Sequence, residues 1–130
     1  MKKSIDSRAD LSFLVRTFYE RLREDKSLGP IFNRQVTDWE LHFEHITDFW
    51  ESNLFFSKRY QKNPVQIHEA VDAAESHELE QKHFGIWLNY WFSTIDEFFE
   101  GEKAIIAKNR ARNMASFMFL KIYAARPKKG

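Results

Sequence analysis

The sequence predicts an all-α fold in a single domain, residues 1–130, and three observations lead to this prediction. The chain has 130 residues, which is the size of one ordinary globular domain. In four long segments the apolar residues recur with the i, i+3, i+4 spacing of amphipathic helices. Only 4 glycines and 3 prolines occur, and no segment has the alternation typical of a β-strand. The termini, 1–9 and 125–130, are expected to be frayed.

Two long helices are predicted in the first half of the chain. The first covers residues 10–26 and ends at a corner, 28–32, because a glycine and a proline stand there. The second covers residues 38–55 and opens with a capping box, in which Thr37 is followed three residues later by Glu40. The apolar stripe of the first helix consists of Leu11, Leu14, Val15, Phe18 and Leu22.

One short and two long helices are predicted in the second half. The short helix covers 63–72, where an Asn-Pro pair supplies the cap and the first turn. The third long helix covers 77–99 and ends at Gly101, and the fourth covers 102–124. Their apolar stripes are Phe84, Leu88, Trp91, Ile95 and Phe98 for the third helix, and Ala107, Ala111, Met114, Met118 and Ile122 for the fourth.

The composition excludes several classes of function. The chain has no cysteine, which excludes disulfides, thiolate zinc sites, cysteine-ligated iron–sulfur clusters and cysteine nucleophiles. Its 20 basic and 19 acidic residues leave a formal net charge of +1, which does not indicate binding to nucleic acid or to an acidic membrane. No apolar segment approaches the roughly 20 residues that span a bilayer, and none follows the basic start, so a cytoplasmic location is expected.

The chain is rich in aromatic residues. It contains 13 Phe, 4 Trp and 4 Tyr, which together make up 16% of the residues. So many rings in a small protein either fill an aromatic core or enclose a flat ligand. Composition alone leaves both alternatives open.

Two of the five histidines are candidates for a functional role. His42 lies in the middle of an apolar stripe and is expected to point inward among rings. His68 lies on the short helix, which is better suited to presenting one side chain than to filling a core. The alternative that both are core histidines bonded to backbone carbonyls stays open at this point. A metal ion shared by His42 and His45 lacks visible companion ligands.

Six short motifs, taken in order, resemble those of the truncated haemoglobins, specifically the bacterial group III branch. They fall within residues 13–120, and the signal is their common order and spacing. The motifs are Phe18-Tyr19-Glu20, Asp25 with Leu28-Gly29-Pro30-Ile31-Phe32, Trp39-x-x-His42, Phe49-Trp50, Tyr60 with Asn63-Pro64-x-x-x-His68, and His83-Phe84-x-x-Trp87-Leu88.

This resemblance implies a two-over-two helical sandwich around haem b. It implies that His68 is the proximal ligand of the haem iron. On the opposite, distal side, Tyr19, His42 and Trp87 are implied to be hydrogen-bond donors to an iron-bound ligand. The other implied haem contacts are Phe32, Ile46, Phe49, Trp50, Tyr60, Ile67 and Phe84, with Arg59, Tyr60 and Lys62 as candidates for the propionates.

The function that the resemblance implies is the reversible binding of dioxygen and of other diatomic ligands, such as nitric oxide and carbon monoxide, as in oxygen transport. Several distal donors favour a polarised O–O bond, and hence nitric oxide dioxygenase-like or peroxidase-like chemistry. No flavin or reductase motif occurs, so turnover would need an external reductase, and a monomer is expected. The alternatives are a haem-free all-α regulatory or scaffold module, and a gas or redox sensor that acts through a partner.

Overall fold

The computed structural model describes residues 2–55 and 81–125, with side chains in the second stretch for 82–117. Within these ranges it contains five α-helices and no strand, which confirms the predicted all-α class. The short helix predicted at 63–72 and the start of the third long helix lie outside the described residues. The helices are α1 (Arg8–Leu22), α2 (Gly29–Gln35), α3 (Trp39–Phe55), α4 (Gln81–Phe98) and α5 (Glu102–Ala125).

The segment before α1 packs against the rest of the fold. Ile5 is completely buried, and the backbone of Lys3 forms an isolated bridge with the end of α4. The ammonium group of Lys3 also bonds the carboxylate of Asp10 at 2.6 Å. The side chain of Ser7 accepts a hydrogen bond from the Asp10 N–H at 3.3 Å, so α1 begins at Arg8, earlier than predicted. These contacts oppose the fraying that the sequence predicts for this segment.

The predicted corner after α1 is a turn followed by a short helix. The Asp25 carboxylate accepts hydrogen bonds from the N–H groups of Ser27 at 2.8 Å and Leu28 at 2.9 Å. This Asx turn ends α1 before the predicted residue. A Cβ atom on Gly29 would lie 2.3 Å from the carbonyl oxygen of Arg23, so only glycine fits there. The proline that follows occupies the first turn of α2, where it favours helix rather than ending it.

The start of α3 differs in detail from the prediction. The Asp38 carboxylate accepts a hydrogen bond from the Leu41 N–H at 3.1 Å, so Asp38 caps the helix and the predicted role of Thr37 is wrong. Glu40 forms no capping box either, because its two carboxylate oxygens bond the guanidinium of Arg16 at 2.9 and 2.7 Å. The carboxylate of Asp38 takes the place of the hydroxyl of Thr37, since both groups are good acceptors for the free N–H groups of the first turn.

The four long helices pack as two pairs. α1 packs on α3, α4 packs on α5, and the pairs meet where α1 contacts α4 and α3 contacts α5. This confirms the predicted two-over-two sandwich. Gly101, with φ of +96°, separates α4 from α5 as predicted. Ala107 and Ala111 are fully buried on α5, and their small side chains let α4 approach so closely that the indole N–H of Trp91 donates to the Ala107 carbonyl at 3.3 Å.

Candidate functional site

Tyr19 lies at the centre of a cluster of rings contributed by α1, α2 and α3. It is on the buried face of α1, and only 3% of its surface is exposed. Aromatic neighbours arranged edge-to-face add to the stability that burial provides, so its ring is held from several directions. The five rings whose centroids lie within 5.9 Å of the Tyr19 centroid are those of Phe18, Phe32, Trp39, His42 and Phe43.

His42 reaches this cluster from the first turn of α3. Its backbone N–H donates to the carbonyl of Asp38 at 3.0 Å, which places it within that turn. Its imidazole lies edge-on to the phenol ring of Tyr19, with centroids 4.9 Å apart and planes at 76°. Its Nε2 atom is buried. The structure therefore brings together the tyrosine and the histidine that the resemblance assigns to one side of a haem, and it turns the histidine inward.

α3 carries two different apolar faces. Trp50 and Leu54 on the first face are buried in the core. His42, Ile46 and Phe49 form a second stripe, and all three are half-buried. Since each residue turns a helix by about 100°, the second stripe lies roughly 100° around the axis from the first. Three of the four site residues predicted on α3 thus occupy a face separate from the one that fills the core, and the fourth, Trp50, lies on the core face.

Trp87 belongs to a row of three stacked tryptophans. Its ring lies 6.1 Å from that of Trp91 with planes at 10°, and Trp91 lies 4.8 Å from Trp50 with planes at 20°. Trp87 is half-buried, whereas Trp91 and Trp50 are buried. Phe18 connects this row to the first cluster, because its ring lies 4.9 Å from Tyr19 and 5.6 Å from Trp87. Trp50, predicted on the haem wall, therefore lies in the core layer.

The remaining predicted residues divide into those that the structure describes and those that it does not. Phe32 on α2 is half-buried, with its ring 5.7 Å from that of Tyr19. Phe84, near the start of α4, is also half-buried. The predicted residues that lie outside the described part of the chain are Arg59, Tyr60, Lys62, Ile67 and His68.

Three ring residues of the cluster are not among the predicted site residues. Trp39 shares the stripe of His42 and Phe18 precedes Tyr19 on the stripe of α1, so both positions carry a signal in the sequence. Phe43 carries none, because its contact with Tyr19 depends on the angle at which α3 crosses α1.

Two arginines lie against the outer side of the ring cluster. The guanidinium of Arg23 lies 4.1 Å from the ring centroid of Trp39, and that of Arg16 lies 5.0 Å from the centroid of Phe43. Hydrogen bonds between Arg16 and Glu40 raise the pKa of the Arg16 guanidinium and lower the pKa of the Glu40 carboxyl. A guanidinium over a ring face is attracted by the ring quadrupole, so both cations favour this packing of α1 on α3.

Two kinds of feature are absent from residues 2–55 and 81–125. No group of three or more His, Asp or Glu side chains in these ranges is placed to hold a metal ion. None of the helices in these ranges is both long enough and apolar enough to cross a membrane.

Comparison with known proteins finds similarity both in sequence and in structure. No family profile matches the chain. The group 3 truncated haemoglobin of Campylobacter jejuni is 28% identical over 120 residues, which cover 89% of this chain and 91% of that protein. The crystal structure of a group III truncated haemoglobin from Campylobacter jejuni superposes with a TM-score of 0.84 and 27% identity, over 98% of this chain and 100% of that one. The chain is thus similar in sequence to the group III truncated haemoglobins and has their fold.

This similarity confirms the resemblance to the truncated haemoglobins that was drawn from the six motifs. It accounts for the two-over-two packing, since the superposition extends over nearly the whole chain. It also implies haem binding of the globin type.

Proposed function

We propose that this chain holds haem b beside the half-buried stripe of α3, and that dioxygen, nitric oxide or carbon monoxide binds on the side of Tyr19 and His42. The observation that carries this proposal is the contact between these two rings, 4.9 Å apart, at the end of that stripe. A small polarised ligand is best held by hydrogen-bond donors in an otherwise apolar pocket. The phenol and the imidazole supply such donors, and they meet beside an apolar wall.

The side chains of this region fit a haem. The porphyrin is flat and largely apolar, so it requires aromatic and aliphatic walls, for which Phe32, Ile46 and Phe49 are half-buried candidates. The chain has no cysteine, so it offers neither a thiolate ligand nor a thioether link, and this favours haem b held by an imidazole. From the resemblance we assign to His68 the imidazole that would hold the haem iron. Bound haem supplies the iron at which a diatomic gas is held.

Tyr19 is the first candidate for a donor to that gas. Its ring is packed by five neighbours, so the position of its hydroxyl oxygen is fixed before any ligand arrives, and little freedom of the side chain is lost on binding. The indole N–H of Trp87 is the second candidate, because this ring is half-buried and linked to Tyr19 through Phe18. A hydrogen bond to a charged acceptor contributes about 1.5–3 kcal/mol.

We further propose that the bound gas is used for redox chemistry, as in nitric oxide dioxygenation or peroxide reduction, with electrons from an external reductase. The support is the number of donors: a tyrosine, a histidine and a tryptophan exceed what reversible delivery of dioxygen requires, and donors of this kind stabilise charge on a reacting oxygen. Nitrate formed per nitric oxide consumed by the reduced protein in air measures the first activity. Oxygen transport, a cytoplasmic location and a monomeric state stay predictions.

Absorption spectroscopy of the purified chain, supplemented with haem and then reduced, tests the haem proposal. We expect a Soret band that shifts when carbon monoxide is added. The band should be lost or strongly altered in His68→Ala and kept in His45→Ala, a matched control on α3. A chain that stays colourless after supplementation, or a His68→Ala variant with an unchanged spectrum, would contradict the proposal.

A further inference from the structure

We propose that Trp39, held by the guanidinium of Arg23, is a positioning residue that keeps the imidazole of His42 turned inward against Tyr19. The consequence for ligand access rests on the proposed haem site. The positioning itself is a property of the chain and follows from ring contacts and charge.

Trp39 touches both residues that it would position. Its ring centroid lies 5.8 Å from that of Tyr19 and 5.6 Å from that of His42, with the planes of Trp39 and His42 at 84°. Tyr19 lies 4.9 Å from His42. The three rings therefore contact one another, and the two neighbours restrict the rotamers that an isolated histidine would populate.

The direction of helical side chains explains why Trp39 is the residue that confines His42. In an α-helix the Cα–Cβ bonds tilt toward the N-terminus, so a side chain covers the turn that precedes it. Trp39 stands three residues before His42 in α3 and hence on that turn. A histidine at this position leans onto the indole, and moving the indole gives the histidine room to swing outward.

Arg23 fixes Trp39 from the solvent side. Its guanidinium carbon lies 4.1 Å from the indole centroid, and its Nε–H donates to the Asn33 side-chain oxygen at 2.9 Å. Arg23 is exposed and Trp39 is half-buried, so the cation covers the outer part of the ring. The bond to Asn33 ties the guanidinium to α2, and three segments of the chain thus meet on one indole.

Trp39 differs from the tryptophans that fill the core. Trp50 and Trp91 are 2% and 0% exposed and stack on each other. Trp39 instead lies at the boundary of the fold under a charged group. At this boundary the ring of Trp39 can control whether the imidazole of His42 stays turned toward Tyr19 or swings toward solvent. In a haem-bound chain an outward His42 would open the distal side to incoming ligands.

Hydrogen–deuterium exchange at the C2–H of the histidine rings, read by mass spectrometry on the protein as purified, tests the positioning. We expect Trp39→Ala to speed exchange at His42 by roughly threefold to tenfold, the loss that corresponds to one or two aromatic contacts. Arg23→Ala should speed it by roughly twofold to fivefold, as expected for one cation–π contact, and Trp39→Phe should restore most of the protection. His45, on the same helix, is the internal reference and should not change.

Arg16→Ala is the matched control, because it removes a cation–π contact with Phe43 rather than with Trp39. It should leave His42 exchange unchanged. If Trp39→Ala does not fold, Arg23→Ala still decides, since Arg23 is exposed. Unchanged exchange at His42 in a folded Trp39→Ala or Arg23→Ala protein overturns the proposal, and so does an equal effect of Arg16→Ala.

A second measurement separates this inference from the haem proposal. If the chain binds haem, carbon monoxide should associate faster in Trp39→Ala and Arg23→Ala than in the parent protein, and Arg16→Ala should match the parent. If the chain takes up no haem, the proposed function fails, while His42 exchange still decides the role of Trp39. Faster exchange at His42 without faster association would overturn the part that concerns ligand access.

Discussion

The imidazole of His42 meets the phenol ring of Tyr19 edge-on, with ring centroids 4.9 Å apart and planes at 76°. The two residues come from α3 and α1, which pack directly on each other. The packing of the two helices holds the rings in this position, and the edge-to-face arrangement is itself favoured over a face-to-face one. The hydroxyl of Tyr19 can therefore be removed without disturbing the ring that holds His42.

Tyr19→Phe should speed dissociation of dioxygen from the reduced haem protein by roughly tenfold to a hundredfold, because a hydrogen bond to a charged acceptor contributes about 1.5–3 kcal/mol. Stopped-flow displacement of dioxygen by carbon monoxide measures this rate. Tyr90→Phe is the control, since the Tyr90 hydroxyl is bonded to Asp25. A Tyr19→Phe rate equal to that of the parent would contradict the role of the hydroxyl.

Trp87→Phe should also speed dioxygen dissociation, because it removes the indole N–H and keeps an aromatic ring on Trp91. The same displacement experiment applies. Trp91→Phe provides the comparison, since its indole N–H donates to the Ala107 carbonyl in the core. That variant should lower the free energy of unfolding by about 1 kcal/mol or more with little change in the rate. If Trp91→Phe had the larger kinetic effect, the assignment of Trp87 would be wrong.

Asp25 and Tyr90 join the turn after α1 to α4. The Tyr90 hydroxyl donates to the Asp25 carboxylate at 2.9 Å. Burial acts to raise the pKa of the Asp25 carboxyl, but hydrogen bonds from the Leu28 N–H, the Tyr90 hydroxyl and the Ser27 N–H together lower it. The hydrogen bond to Asp25, aided by burial and nearby negative charge, raises the pKa of Tyr90.

This pair should make stability depend on pH at both ends of the range. The contribution of Asp25 is present above the ordinary Asp pKa of about 4 and is lost as pH falls through the lowered pKa. That of Tyr90 is present below about pH 10 and is lost as pH rises through the raised pKa. Tyr90→Phe should lower the free energy of unfolding at neutral pH by about 1 kcal/mol and weaken the alkaline loss. Urea unfolding across the pH range measures both, and an alkaline loss of unchanged size would rule out Tyr90 as its source.

Two glycines should respond in opposite ways to the same substitution. Gly101 has φ of +96°, so Gly101→Ala should lower the free energy of unfolding by about 1–2 kcal/mol. Gly85 lies inside α4, and a Cβ atom there would meet nothing within 4 Å. Gly85→Ala should therefore raise the free energy of unfolding by about 0.5–1 kcal/mol. Thermal or urea unfolding of the two variants checks the signs, and equal signs would contradict this account of the α4–α5 turn.

The boundaries of the helices show which local signals can be read from sequence. Gly101 ends α4 as predicted, because a residue with positive φ stops a helix wherever it occurs. The start of α3 was predicted with the wrong cap, since Thr37 and Asp38 are both good acceptors and only the backbone geometry chooses between them. The helix that begins at Gly29 lies where the sequence predicts a corner, because a Gly-Pro pair can end one helix and also open the next.

The sequence by itself determined the helical class, the long amphipathic helices and the resemblance to the truncated haemoglobins, because periodicity and ordered motifs are properties of neighbouring residues. Tertiary structure alone decided which rings meet. The contacts of Tyr19 with His42 and Trp39, the guanidinium of Arg23 over that indole, and the stacking of Trp50 on Trp91 join different helices or the turns between them. Such contacts depend on helix crossing angles and distances, which arise only when the two helix pairs pack together.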